Sequence, residues 1–211
     1  MKIEDRVRLA FDLGINKEFL PMLSFALPAI EASAKKKYGR GGRASFIKLI
    51  RENYEVFHWF SGSFLDFVEL RFPTLDPSLT DGQTVDRPDL AQVLYYLHRC
   101  SLAHGQELGE SCSILPRKPD GSFDYHIDKV GKGIRLPEPI AWGVLATVVL
   151  EPINTNLESR SGNYFTLSLP PITYFLNVDL FWGAKDRLKR VVEKYDAPPD
   201  QTQSVMSQLS I

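Results

Sequence analysis

Apolar residues recur at helical spacing along much of this chain. Between residues 17 and 38, Phe19, Leu23, Leu27, Ile30 and Ala34 fall three or four apart, with Pro21 and Pro28 interrupting the run and Gly39 ending it. That spacing predicts a long, kinked helix. The pattern repeats over 43–60, where Phe46, Ile50, Tyr54 and Phe57 mark one face while Lys48, Arg51, Glu52 and Glu55 lie elsewhere, predicting a second continuous helix. Ser61, Gly62 and Ser63 break it, 64–72 reads as a short third helix, and the Pro-, Asp- and Thr-rich stretch 73–88 reads as a surface loop. Asp89 is then placed to cap a helix over 90–104, with Leu90, Val93, Leu94, Leu97 and Ser101 as its buried stripe and Gly105 as its stop.

The texture changes over 111–136. There SCSIL and FDYHIDKV flank the turn signal Pro119, Asp120, Gly121, which predicts a small β-hairpin. Helical patterning returns over 140–150, a strand is predicted over 164–169, and a closing helix over 178–195 carries Leu180, Phe181, Ala184, Leu188, Val191 and Val192 on one side. Residues 196–211 read as a flexible tail. Without a solenoid repeat or a low-complexity tract, the expected fold is mainly α: one antiparallel helical bundle over 1–195 with a β-hairpin insertion.

Composition narrows the function classes. With 44% hydrophobic residues among 211, the chain can bury an ordinary core, and a net charge of −1 argues against a general nucleic-acid coating protein, leaving room only for a local basic contact. Cys100 and Cys112 are the only cysteines and lack metal or redox spacing, and no signal-peptide pattern opens the chain, so a cytoplasmic setting is expected. The longest apolar stretch, 139–150, falls short of a bilayer span, so no membrane association is expected.

The segment with the clearest chemistry is Arg99, four residues, then His104, at the end of the helix predicted over 90–104. An arginine fork holds a phosphate while a histidine moves a proton near neutral pH, a minimal kit for cutting RNA with neither metal nor cofactor. Chance supplies about 0.25 such pairs in a chain of this composition, so their setting has to decide. Five residues on a helix turn through roughly 140°, so the two side chains do not share a face. Either the last turn loosens near Gly105, or a second copy brings its own helix alongside, which predicts a homodimer.

The stretch LYYLHRCSLAHG resembles the signature of the higher eukaryotes and prokaryotes nucleotide-binding (HEPN) superfamily, an arginine and a histidine four to six residues apart near a helix end. That superfamily often carries Glu, three residues, Lys and a basic residue on an earlier helix, and Glu31, Lys35 and Lys36 match that pattern here. Over roughly 17–157, the resemblance implies a helical bundle, commonly dimeric, with Arg99 and His104 of each copy lining a cleft that cuts RNA without metal. Many members are toxins or defence nucleases, some with a neutralising partner protein, and others bind RNA or nucleotides without catalysis. The chain departs from the pattern at Cys100, where Asn or Asp is frequent, and at Gln106, where toxins controlled by tyrosine adenylylation carry a tyrosine.

Plainer roles stand beside these. Glu31 and Lys35 have the spacing of an ordinary surface ion pair, and Lys35, Lys36, Lys37, Arg40 and Arg43 suit a helix C-terminus as well as a phosphate. His98 reads as a helix-surface histidine that could supplement the site, and His58, in FHWF, as part of an aromatic packing cluster. Two function classes follow: a metal-independent endoribonuclease using Arg99 and His104, or a non-catalytic helical module binding RNA, a nucleotide or a protein.

Overall fold

The computed structural model describes residues 1–61, 66–73, 75, 84–103, 112–118, 129–130, 133–169 and 172–195. It is mainly α. Seven α-helices lie among the described residues: α1 (Ile3–Ile15), α2 (Phe19–Tyr38), α3 (Arg43–Arg51), α4 (Tyr54–Ser61), α5 (Leu90–Ala103), α6 (Glu138–Leu150) and α7 (Lys185–Tyr195). His104, Gly105 and Gln106, the turn at 119–121, most of the loop over 73–88 and the tail over 196–211 fall outside the described residues.

The core is built around α6. Every residue from Pro139 to Leu150 is buried except Trp142, as expected of a helix that is apolar on all sides. Helices α1, α2 and α4 pack around it, and α2 also carries α3 and α5. Helix α2 runs through Pro28 and ends at Gly39, whose φ of 72° is the left-handed conformation that closes a helix without a Cβ penalty. Helix α1 precedes the helices legible in the sequence and buries Val7, Ala10, Phe11 and Gly14 on one stripe.

The helix expected over 43–60 is two. Buried Asn53 donates from Nδ2 to the carbonyl of Leu49 at 2.8 Å and to Glu151 at 2.9 Å, competing with the helical ladder where α3 ends. No helix covers the described part of 64–72: Asp66 accepts from the backbone N–H of Val68 and Glu69 and closes a turn instead. The closing helix begins at Lys185, seven residues later than its apolar stripe suggests. A 3₁₀ turn over Val178–Leu180 comes first, capped by Asn177, and Gly183, at φ 70°, donates to the carbonyl of Val149 at 2.8 Å. A Cβ at Gly183 would collide with Thr155, so the turn there is dictated by close approach.

The β region is also rearranged. Strand β1 (Cys112–Leu115) does not pair with β2 (Lys129–Val130). Both flank β3 (Gly133–Pro137), β1 in parallel with Cys112 opposite Ile134, and β2 antiparallel with Val130 opposite Gly133. Burial of Ile134 and Leu136 makes β3 the centre of this small sheet. The predicted strand at 164–169 is β4 (Tyr164–Leu169), which forms a hairpin with β5 (Ile172–Asn177), unforeseen in the sequence.

Candidate functional site

Helix α5 starts as the sequence predicts. Asp89 Oδ1 accepts from the N–H of Gln92 at 2.9 Å, and Gln92 Oε1 accepts from the N–H of Asp89 at 3.0 Å, a reciprocal capping box. With Leu90, Val93, Leu94 and Leu97 buried, His98 turns inward and Arg99 is exposed.

His98 is not a surface histidine. Its ring is 2% exposed and stacks on Phe46 of α3 with centroids 5.3 Å apart and planes 10° apart. Nε2 lies 3.0 Å from Oε2 of Glu31 on α2. Because a carboxylate only accepts, Nε2 carries the proton and Nδ1 is the bare nitrogen, buried without a hydrogen-bond partner. Burial holds the His98 pKa below its ordinary value, the Glu31 carboxylate opposes that shift, and the cations Arg6 and Arg99 reinforce it. A second proton would leave a buried donor unpaired, so the ring stays neutral and orients its neighbours instead of touching a ligand.

Glu31 therefore meets His98, not Lys35, and no ion pair joins Glu31 to Lys35. Both instead line a cavity of about 400 Å³ with Arg6 of α1, beside Gly41. Lys35 and Lys36 are exposed, and Lys36 stands outside the lining of this cavity. The folded chain thus gathers Arg6, Glu31 and Lys35 at one cavity, two cations and one carboxylate fixed by a buried imidazole, while Arg99 follows His98 on α5 and is exposed. Such a cluster suits a phosphate held between cations, with Glu31 keeping them apart.

The rest of the basic cluster is divided. Lys37 turns away to bridge Glu52 and buried Glu151, each at 2.9 Å; burial lowers its pKa, but hydrogen bonds and charge from the two carboxylates outweigh that and raise it. Arg43 lies over the ring of Tyr96 at 5.4 Å. An open groove beside it, about 610 Å³, has its other cations committed: Arg51 to Asp89 at 2.7 Å and Lys48 to Glu52 at 3.7 Å. Around His58, Phe57 and Trp59 are buried, and Phe60 packs on Phe165 with centroids 5.2 Å apart. Among the described residues no group of three histidine, cysteine or acidic side chains could hold a metal ion, and burial raises the Cys112 thiol to about 12. Nor is any described helix long and apolar enough to cross a membrane.

Arg6 had no motif to announce it. Its only signal is position on an amphipathic helix, and packing of α1 on α2 brings it to Glu31.

Comparison with known proteins gives relatives without a named activity. The chain is 29% identical over 170 residues to the uncharacterized proteins Rv1289 of Mycobacterium tuberculosis and Mb1320 of Mycobacterium bovis, covering 79% of this chain and 76% of each relative. No solved structure matches it. The similarity extends across nearly the whole bundle, since the family model spans residues 2–209, and the chain belongs to the Rv1289 family.

Proposed function

We propose that this protein is a HEPN-like, metal-independent endoribonuclease that acts as a homodimer in the cytoplasm. Arg99 holds the scissile phosphate, and His104 takes the proton of the 2′-hydroxyl or delivers one to the leaving 5′-oxygen. The product then carries a 2′,3′-cyclic phosphate. Lys35 and Arg6 hold the adjoining phosphate, Glu31, in the same lining and bonded to His98, keeps the two cations apart, Lys36 adds positive charge nearby, and His98 acts as a positioning residue.

One observation carries this reading. The Glu31–Lys35 motif and the segment before Arg99 lie 67 residues apart in the chain, yet Glu31 and His98 meet at 3.0 Å beside a cavity lined by further cations. Incubating the purified protein with RNA in the presence of a chelator tests it. Cleavage that His104→Ala abolishes is the expected result, and intact RNA, or equal cutting by the variant, refutes the enzyme.

A second reading, a non-catalytic RNA- or nucleotide-binding module, is favoured by the burial of His98, which commits one of the two nearby histidines to structure. It predicts RNA binding that Arg99→Ala weakens, with no turnover.

A further inference from the structure

The cavity beside Gly41 is lined by charges that pull in opposite directions. Arg6 and Lys35 attract an anion, while Glu31 repels one. The carboxylate cannot easily leave. Its Oε2 accepts from Nε2 of His98 at 3.0 Å, and the His98 ring is held in turn by its stack on Phe46. Oε1 lies on the Gly41 side, 3.9 Å from the place a Cβ of that residue would take, and has no hydrogen-bond partner among the described residues. Arg6 gives Nε to the carbonyl of Met1 at 3.4 Å, and neither Arg6 nor Lys35 pairs with a carboxylate among the described residues.

An oxyanion seated between Arg6 and Lys35 meets Oε1 as a second acceptor of like charge, and two such acceptors share a site only with a proton between them. The groups around Glu31 decide where that proton sits: Arg6 from α1, Lys35 from α2 itself and His98 from α5, with Arg99 acting on the His98 ring and α3 presenting only Phe46. His98 Nδ1 is buried without a partner, and burial, reinforced by Arg6 and Arg99, disfavours a charged ring. Glu31 Oε1 is the remaining place. Protonated, it donates to an anion oxygen while Oε2 keeps its bond from His98, so the same side chain turns from competitor into donor.

We propose that this cavity takes up a tetrahedral oxyanion together with one proton, which binds Glu31 Oε1 and is donated to the anion. This rests on the cavity being the phosphate site proposed above, and not on cleavage. Sulfate, which stays fully ionised between about pH 6 and 8, is the probe for calorimetric titration of the full chain. Its affinity should fall at least about threefold from pH 6 to pH 8, and buffers of different ionisation enthalpy should count roughly one proton entering per sulfate at the acid end. Glu31→Gln supplies a permanent donor while its amide oxygen still accepts from His98, so at about pH 8 it should bind sulfate roughly tenfold tighter than the wild type, with little dependence on pH. Lys35→Ala should weaken binding at least about threefold, which locates the anion. The dinucleotide uridylyl-uridine separates the sources: competition with sulfate assigns the cavity to an RNA phosphate, and sulfate binding without competition assigns it to a free oxyanion. No saturation by about 10 mM sulfate, an affinity indifferent to pH without proton uptake, unchanged or weaker binding by Glu31→Gln, or undiminished binding by Lys35→Ala overturns the proposal. Intact RNA in the chelator assay alongside the expected sulfate behaviour refutes the nuclease alone.

Discussion

His98 is a neutral ring among charges, and its neutrality has a measurable consequence. In the unfolded chain it takes a proton near the ordinary histidine value, whereas in the fold burial and the nearby arginines hold its pKa lower. Between those two values the unfolded state binds more protons, so the stability this residue supports is fully present above about pH 6.5 and is lost as pH falls through the folded-state value. His98→Gln keeps a donor for Glu31 but does not titrate. Urea midpoints measured from pH 7.5 to 5 should therefore fall less steeply in the variant, and identical slopes would show that His98 does not couple folding to protons. The pairing behind this effect was half legible in the sequence. Glu31 and the segment at Arg99 stood out as motifs, and His98 follows Leu94 by four residues on the apolar face of α5, but the ring that stacks on it, Phe46, belongs to another helix that no local window contains.

At the scale of elements, periodicity located α2, α5 and α6 because each carries an apolar stripe or an apolar circumference that only a helix can bury. It failed where a single side chain outbids the pattern. Asn53 and Gly183 split or shorten helices through partners on distant segments, Glu151 and Val149, which no local window contains. The pairing expected between SCSIL and FDYHIDKV within 111–136 differs for a related reason: β1 and β2 each pair with β3, a partner outside the expected two. Close packing between elements makes its own prediction at Gly143, where α6 meets α4. Glycine to alanine in a helix ordinarily gains about 1 kcal/mol, but here the new Cβ would come within 2.6 Å of the fully buried ring of Phe57. Overpacking of this kind costs about 1–3 kcal/mol, so Gly143→Ala should lower the urea midpoint, and a raised midpoint would mean that α4 yields at little cost.

For the whole molecule, the decisive quantity is whether one copy suffices. Arg99 is exposed on α5, and the roughly 140° between it and His104 on a continuous helix sets them on different faces. The proposed homodimer, with a two-fold axis near α5, would let Arg99 of one copy work with His104 of the other. In such a site Arg99→Ala and His104→Ala are each inactive alone but complement each other when mixed. In a mixed dimer, one of the two sites receives both intact side chains, and the other receives neither. Random exchange of equal amounts makes about half of all dimers mixed, so roughly a quarter of the wild-type cleavage rate should return. RNA cleavage assayed after unfolding and refolding the mixture reads this directly. If each subunit carries its own complete site, every site in the mixture lacks one residue and no activity returns, which would place Arg99 and His104 on the same chain through a loosened helix end.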